Sequence, residues 1–344
     1  MKPDLSTVFI EVNNMIVKAN GTSELLQEEE DAMSIFSPVM QLLRSCNSFL
    51  MQGLVSVQGE CRPLLACGRQ IGAIRPDVAK CLLNYPQVFI PSPDAFTLNP
   101  QLDSYNKRSN AIDLVLQDLR TKNVLVALRG WRDECFNVWA DFGVEPLFKM
   151  ERSGVTLLGV RVFGVHIMGY TRSSEDGRVK TIWVQKRSID KPTYPGMMDT
   201  MVGGGITAGL PPFQVMLKEA HEEAAISESL AKTACPAGTV SFFTETERGL
   251  HANTEFVYDL ELPSDFVPCN NDGEVEGFEA VPVEDYLECV TSLKYKLTSV
   301  PVAVDFLVRH GFITPESEPQ YAALIELLHV PLDQMYHRWP QTTS

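Results

Sequence analysis

The sequence predicts an α+β protein made of two units, a smaller one ahead of a larger one. Three observations lead there. After Ser34, segments with apolar residues at helical spacing are interleaved with short runs of β-favouring residues. A length of 344 residues is enough for one large or two ordinary domains, and 44% hydrophobic with 21% charged residues is the balance of a globular chain with a sizeable core. Near Glu151 a new series of strand-like runs opens a second domain.

Residues 1–34 end in the acidic run Gln27-Glu28-Glu29-Glu30-Asp31 and are expected to be a flexible, solvated lead without chemistry. Residues 35–150 form the first α+β unit: Phe36–Leu50, Pro76–Leu83 and Ser109–Leu119 repeat apolar residues at helical spacing, and Val124–Leu128 reads as a short strand. In the second unit, 151–315, Leu157–Val160, Phe163–Tyr170, Thr181–Arg187, Val240–Thr244 and Thr254–Leu260 read as strands. Val283–Leu293 and Pro301–His310 read as helices, and residues 316–344 as a helical tail. There is no internal repeat.

A net charge of -15 argues against nucleic acid and anionic membrane as partners, because backbone or headgroup binding needs clustered Lys and Arg. An anionic ligand must therefore meet a local basic patch. The eight cysteines and six histidines show no CxxC or HxxxH spacing, so zinc is not expected. Free thiols in a cytoplasmic protein, with room for a nuclear or organellar pool, fit a long chain without a signal segment.

The chain is organised around Met198–Ile226. Gly203-Gly204-Gly205 are expected to turn with positive φ and bring N–H groups close to an anion, and Pro211-Pro212 suit the first turn of a helix. On that helix Phe213, Met216, Leu217, Ala220 and Ala224 form an apolar stripe, while Glu219, Glu222 and Glu223 gather on another face. Like charges this close destabilise a helix by a few tenths of a kcal/mol per pair. A hard cation relieves that repulsion, and Mg²⁺, with Mn²⁺ as a substitute, suits carboxylate oxygens beside a phosphate. Taken alone, the acids read equally well as a solvated face. Upstream, Lys186 and Arg187 end a strand and point to opposite faces, with Lys191 in the following loop. The three are candidates for holding phosphate.

Gly204 followed by Lys218-Glu219-Ala220-His221-Glu222-Glu223-Ala224-Ala225-Ile226 resembles the Nudix box, GX5EX7REUXEEXGU, with U an aliphatic residue. Leu210, Lys218 and Ala225 stand where the box has Glu, Arg and Gly. The resemblance implies an α/β/α sandwich with a mixed sheet. It also implies that Glu219, Glu222 and Glu223 bind Mg²⁺ or Mn²⁺ for attack of water on a diphosphate. Trp183–Ser188, Lys191–Asp199, Tyr258–Pro263 and Asp272–Phe278 are similar to one branch of that family. The branch comprises the Nudix part of fungal thiamine pyrophosphokinase fusions and their stand-alone plant and fungal relatives, which share a leading domain. It implies hydrolysis of damaged thiamine diphosphates, the oxo- and oxythiamine forms, to monophosphates.

The same resemblance puts a further metal ligand or general base at Glu274, with Glu276 ranked below it. Trp131-Arg132-Asp133-Glu134 is similar to the segment where the leading domain approaches the catalytic one, and aromatic packing with ion-paired neighbours is expected there ahead of direct substrate contact. Lys186, Arg187, Lys191, Gly204 and Gly205 are the expected substrate contacts. A small-molecule diphosphate is the expected partner, and a homodimer is compatible. Two other readings suit the same residues: a non-catalytic Nudix-fold binding protein, motivated by Leu210, Lys218 and Ala225, and a nucleotide-sugar or dinucleotide hydrolase. His166, inside an apolar run, is expected to be a hydrogen-bonded core residue.

Overall fold

The structure is a computed structural model that describes residues 36–338. The predicted acidic lead and the end of the predicted tail lie outside the described residues. Ser37 caps the first helix, α1 (Pro38–Cys46), by accepting from the Met40 N–H, and α2 (Ser48–Met51) follows. Next come β1 (Arg62–Ala66), β2 (Arg69–Ile74), α3 (Pro76–Leu82), β3 (Phe89–Pro91) and β4 (Phe96–Leu98), whose strands form a sheet in the order β2-β1-β4-β3. Helix α4 (Tyr105–Lys122) packs against this sheet through Ile112, Val115, Leu116 and Leu119, all in one apolar core. A two-stranded ribbon, β5 (Cys135–Val138) with β6 (Phe148–Glu151), completes the first unit.

Two predicted strands are not strands. Val124–Leu128 overlaps a 3-10 turn, Val126–Gly130, whose Leu128 N–H donates to Leu125 O at 3.2 Å. The run is short and apolar, and among the described residues no strand lies beside it to complete a ladder. Leu157–Val160 is a series of turns: Gly159 takes φ 53° and lies so close to β2 that a Cβ on it would meet Ala73 O at 2.4 Å. Chain approach, not side-chain pattern, decides that segment.

The second unit is a seven-stranded mixed sheet. Its strands are β7 (Arg161–Arg172), β8 (Val179–Arg187), β9 (Met198–Thr200), β10 (Val202–Gly205), then, after helices α5 (Pro212–Ala224) and α6 (Glu228–Ala231), β11 (Cys235–Thr246), β12 (Gly249–Glu261) and β13 (Val275–Pro282). The main path is β11-β12-β7-β8-β13, parallel only between β12 and β7, with β10 paired to β7 and β9 to β8. The long strand β7 shows why helices cover both faces. Phe163, Val165 and Ile167 point to the side of α5, whereas Met168 and Tyr170 point to the other. That other side is covered by α7 (Val283–Thr291), α8 (Val300–Arg309) and α9 (Tyr321–Leu328), with α10 (Leu332–Arg338) after them. Each fully buried aliphatic side chain in these layers contributes about 1.5–3 kcal/mol.

Helix α1 does not pack on the first unit's sheet. Val39, Met40, Leu43 and Cys46 enter the core beneath α8 and α9 of the second unit.

Candidate active site

The predicted glycine turn is instead a strand. Gly203, Gly204 and Gly205 extend along β10, paired with His166, Val165 and Gly164 of β7, and none of them has positive φ. The glycines are needed for close approach by side chains. A Cβ on Gly203 would meet the His166 ring at 2.9 Å, one on Gly204 the Glu219 carboxylate carbon at 2.5 Å, and one on Gly205 the Phe136 ring at 2.2 Å. The box loop is thus pressed between the acid-bearing helix and β5 of the first unit. The loop is further tied to that strand by Ala208 N–H to Cys135 O at 2.8 Å, and to the residue before it by Thr207 Oγ1 to Glu134 at 2.5 Å.

Helix α5 starts with Pro212 as foreseen. Val215, Met216, Ala220 and Ala224 are its buried apolar residues. Phe213, placed on the apolar stripe by periodicity, is 40% exposed and lies against Tyr258, because it sits in the first turn. The three acids have different surroundings. Glu223 is 1% exposed, and its Oε2 accepts from Gly203 N–H at 3.0 Å and Gln185 Nε2 at 3.2 Å. Burial pushes its carboxyl up to about 7, with Glu219 adding to the rise. Burial likewise raises Glu219. Glu222 is half-exposed and receives Lys218 Nζ at 2.6 Å.

All three acids line one cavity of about 830 Å³, together with Gly204, Gly205, Lys191 and Glu274. Lys191 and Glu274 form an ion pair in its wall. Burial lowers Lys191 to about 8. Arg187 also reaches the cavity wall, but its guanidinium is committed: it donates to Asp199 at 3.2 Å, Thr193 O at 3.0 Å and Tyr194 O at 3.1 Å. Lys186 does not line the cavity. It points to the opposite face of β8 and pairs with Glu276 at 2.6 Å, so neither residue is brought to the acids. His166 is buried and shares a 2.6 Å hydrogen bond with Thr200, as expected of a core imidazole, and burial lowers its proton affinity.

Several lining residues were not foreseen as ligand contacts: Arg132, Arg152, Arg248, Glu255 and Lys296. Arg152 pairs with Glu134 at 2.8 Å and lies over the Phe136 ring, while Trp131, the aromatic of the expected seam, lies under Arg120 and donates from Nε1 to Asp133 at 2.8 Å. Arg132 instead turns into the cavity. The signal that existed was the Trp131–Glu134 segment itself; Arg248 sits in a hairpin turn 116 positions later in the chain, and no local pattern connects the two.

Two family models match the chain in succession: Domain of unknown function (DUF4743) over residues 38–162 and NUDIX domain over residues 163–299. The chain is 36% identical over 273 residues to Nudix hydrolase 24, chloroplastic, of Arabidopsis thaliana, covering 78% of this chain and 73% of that one. The chain belongs to the Nudix hydrolase family. It is also 39% identical over 222 residues to Nudix hydrolase 20, chloroplastic, of the same plant, covering 64% of this chain and spanning 58% of that relative's length. A third relative, the uncharacterized protein YJR142W of Saccharomyces cerevisiae, is 32% identical over 239 residues, with 66% of this chain and 69% of that one covered.

The departures from the Nudix box can now be placed. Lys218 touches Glu219 and Glu222 and not Glu223, which is held by Gly203 N–H and Gln185. Leu210 is 37% exposed at the end of the loop. Ala225 takes φ 52°, the left-handed conformation that the family's glycine suits, and its N–H reaches Ala220 O and His221 O. The carboxylates also pass a test of fit for a divalent cation. The hydrogen bonds of Glu223 both fall on Oε2, and burial holds the Glu219 and Glu223 carboxyls above their ordinary range even with Lys218 and Lys191 nearby. A hard cation with oxygen ligands supplies further positive charge.

Proposed function

We propose that this Nudix chain is a Mg²⁺- or Mn²⁺-dependent pyrophosphohydrolase that cleaves a small diphosphate to a monophosphate and phosphate. Damaged thiamine diphosphates are the substrates we favour. The observation that carries the reading is the placement of Glu219, Glu222 and Glu223 in one cavity with several cationic side chains. The resemblance of Trp183–Ser188 and Asp272–Phe278 to the thiamine pyrophosphokinase-associated branch supports the choice of organic half.

In this reading Glu219, Glu222 and Glu223 would hold the cation, which would supply positive charge to the phosphate oxygens and to the attacking water. Lys191 and Arg132 draw the diphosphate in, while Arg187 fixes the loop that carries Lys191 through its bonds to Thr193 and Tyr194. The water oxygen bonds to phosphorus as the bridging P–O bond breaks, and its proton passes to a carboxylate. Glu274 suits that role: it is paired with Lys191, and a phosphate that recruits Lys191 frees Glu274 as a base. The backbone of Gly204 and Gly205 bounds the floor. All eight cysteines are free, which supports a reducing compartment, cytoplasmic with an organellar pool as the names of the plant relatives suggest.

The test is incubation of the purified protein with Mg²⁺ and a diphosphate panel that includes oxothiamine diphosphate, thiamine diphosphate, nucleoside diphosphates and ADP-ribose. Release of monophosphate and phosphate from the oxothiamine compound is expected. Turnover only of other compounds removes the thiamine assignment, and no turnover of any removes the hydrolase reading.

A further inference from the structure

The first unit contributes one guanidinium to the cavity that has no anionic partner, and the second unit contributes another. Arg132, just after the 3-10 turn, has a single side-chain hydrogen bond, from Nη2 to Thr193 Oγ1 at 3.5 Å. Arg248, in the turn between β11 and β12, donates from Nη2 to Pro192 O at 3.2 Å. The two therefore reach adjacent residues of the same loop. They also converge from the other side: a Cβ on Gly130, two positions before Arg132, would meet Arg248 Nη1 at 2.9 Å. Among the described residues neither guanidinium forms an ion pair, whereas Arg152 and Arg187 are matched by Glu134 and Asp199. Burial makes Arg132 a weaker base, and repulsion from Arg152, Arg187 and Arg248 adds to this. Two unmatched cations held this way in one cavity are stabilised by an anion of matching charge.

We propose that Arg132 and Arg248 form a two-guanidinium clamp for a terminal phosphate, and that the clamp selects diphosphate monoesters over pyrophosphate diesters. The proposal rests on the hydrolase reading above and deepens it. A terminal phosphate offers three free oxygens and up to two negative charges, enough for both planar forks. An internal phosphate of a diester carries one charge and an organic group where the second fork would bind. Arg132 belongs to the stretch matched by the domain of unknown function and Arg248 to the Nudix stretch, so the clamp exists only when the two are docked.

The experiment measures kcat/KM for thiamine diphosphate or a nucleoside diphosphate against ADP-ribose in the full chain, for wild type, Arg132→Gln, Arg132→Lys and Arg248→Gln. In parallel, binding of the non-hydrolysable methylenediphosphonate is measured by calorimetry, and melting temperature is used to check folding. Loss of one charged fork should lower kcat/KM for the monoester roughly ten- to hundredfold through KM, at least tenfold more than for the diester, and weaken methylenediphosphonate to a similar degree. Arg132→Lys should recover part of the loss. An equal fall for both substrates, or unchanged binding in folded variants, overturns the clamp. If wild type turns over neither substrate, methylenediphosphonate binding alone decides the clamp, and the hydrolase reading fails only when oxothiamine diphosphate and the rest of the panel are left uncleaved as well.

Discussion

The Glu219 carboxylate lies over the α-carbon of Gly204, leaving no room for a side chain: a Cβ would stand 2.5 Å from both Cγ and Cδ of the glutamate. The obstacle is a movable side chain, not backbone. Gly204→Ala should therefore leave the fold intact and swing Glu219 away from its neighbours. A misplaced catalytic group costs about a hundredfold in rate. Steady-state kinetics should show that loss with a melting temperature close to wild type; unaltered kcat would mean that Glu219 is not needed where it stands.

Removing the acids' counter-charge tests the metal assignment without reference to turnover. Mg²⁺ bound only by the folded state should raise the melting temperature in a concentration-dependent manner, equivalent to about 2.7 kcal/mol at a hundredfold excess over Kd. Chelator should reverse the rise. Glu222→Gln and Glu223→Gln should abolish it, and a rise that persists in both variants would place the cation elsewhere.

Ala225 ends α5 at φ 52°. An L-residue with a Cβ is strained there by about 1–2 kcal/mol, a penalty absent in glycine. Ala225→Gly should stabilise the protein by about 1 kcal/mol after allowing for glycine's greater freedom when unfolded. Urea denaturation would show this as a higher midpoint with unchanged slope.

Neighbouring Lys186 and Arg187 should behave in opposite ways. Arg187 is 6% exposed and satisfies Asp199 together with Lys296. Arg187→Ala leaves part of a buried charge unmatched and should cost about 3–5 kcal/mol, with loss of the loop geometry around Lys191. Lys186→Ala removes a surface pair with Glu276 and should change stability by no more than about 1 kcal/mol.

His251 sits at the cavity edge, sharing a 2.8 Å hydrogen bond with Thr246, and burial followed by repulsion from Arg248 and Arg75 lowers it to about 4 from an ordinary value of 6.5. Its folded pKa is depressed, so the unfolded chain binds the proton more readily. The stability present above pH 6.5 should be lost as pH falls from 6.5 to 4. His251→Gln should flatten that part of the stability profile; an unchanged slope would assign the acid sensitivity to other groups.

Local chemistry was legible wherever periodicity and spacing carried it. The helix starting at Pro212, its three acids and the long strands follow from patterns within a few residues, whereas the mixed sheet with helices on both faces was implied by the resemblance to the Nudix family. What failed did so for a common reason. The triple glycine reads as a turn until one knows that His166, Glu219 and Phe136 press against it, and Leu157–Val160 reads as a strand until Ala73 is brought against Gly159. Arg187 reads as a phosphate contact until Asp199, Thr193 and Tyr194 take up its donors. These are contacts between parts of the chain that no one-dimensional pattern links. Alternation on β8 did indicate that Lys186 and Arg187 diverge, but not which of them would meet the cavity.

Helix α1 has a consequence for how such proteins can be recombined. Its four apolar residues fill the second unit's core, although they lie at the start of the stretch matched by the first unit's family. A Nudix half cut at residue 163 would carry an open socket where Met40 and Leu43 belong. Exchanging leading domains between relatives would work only if the first helix stayed with the Nudix half, or if its socket were exchanged too. The sequence boundary between the two families is thus not a line along which the molecule comes apart.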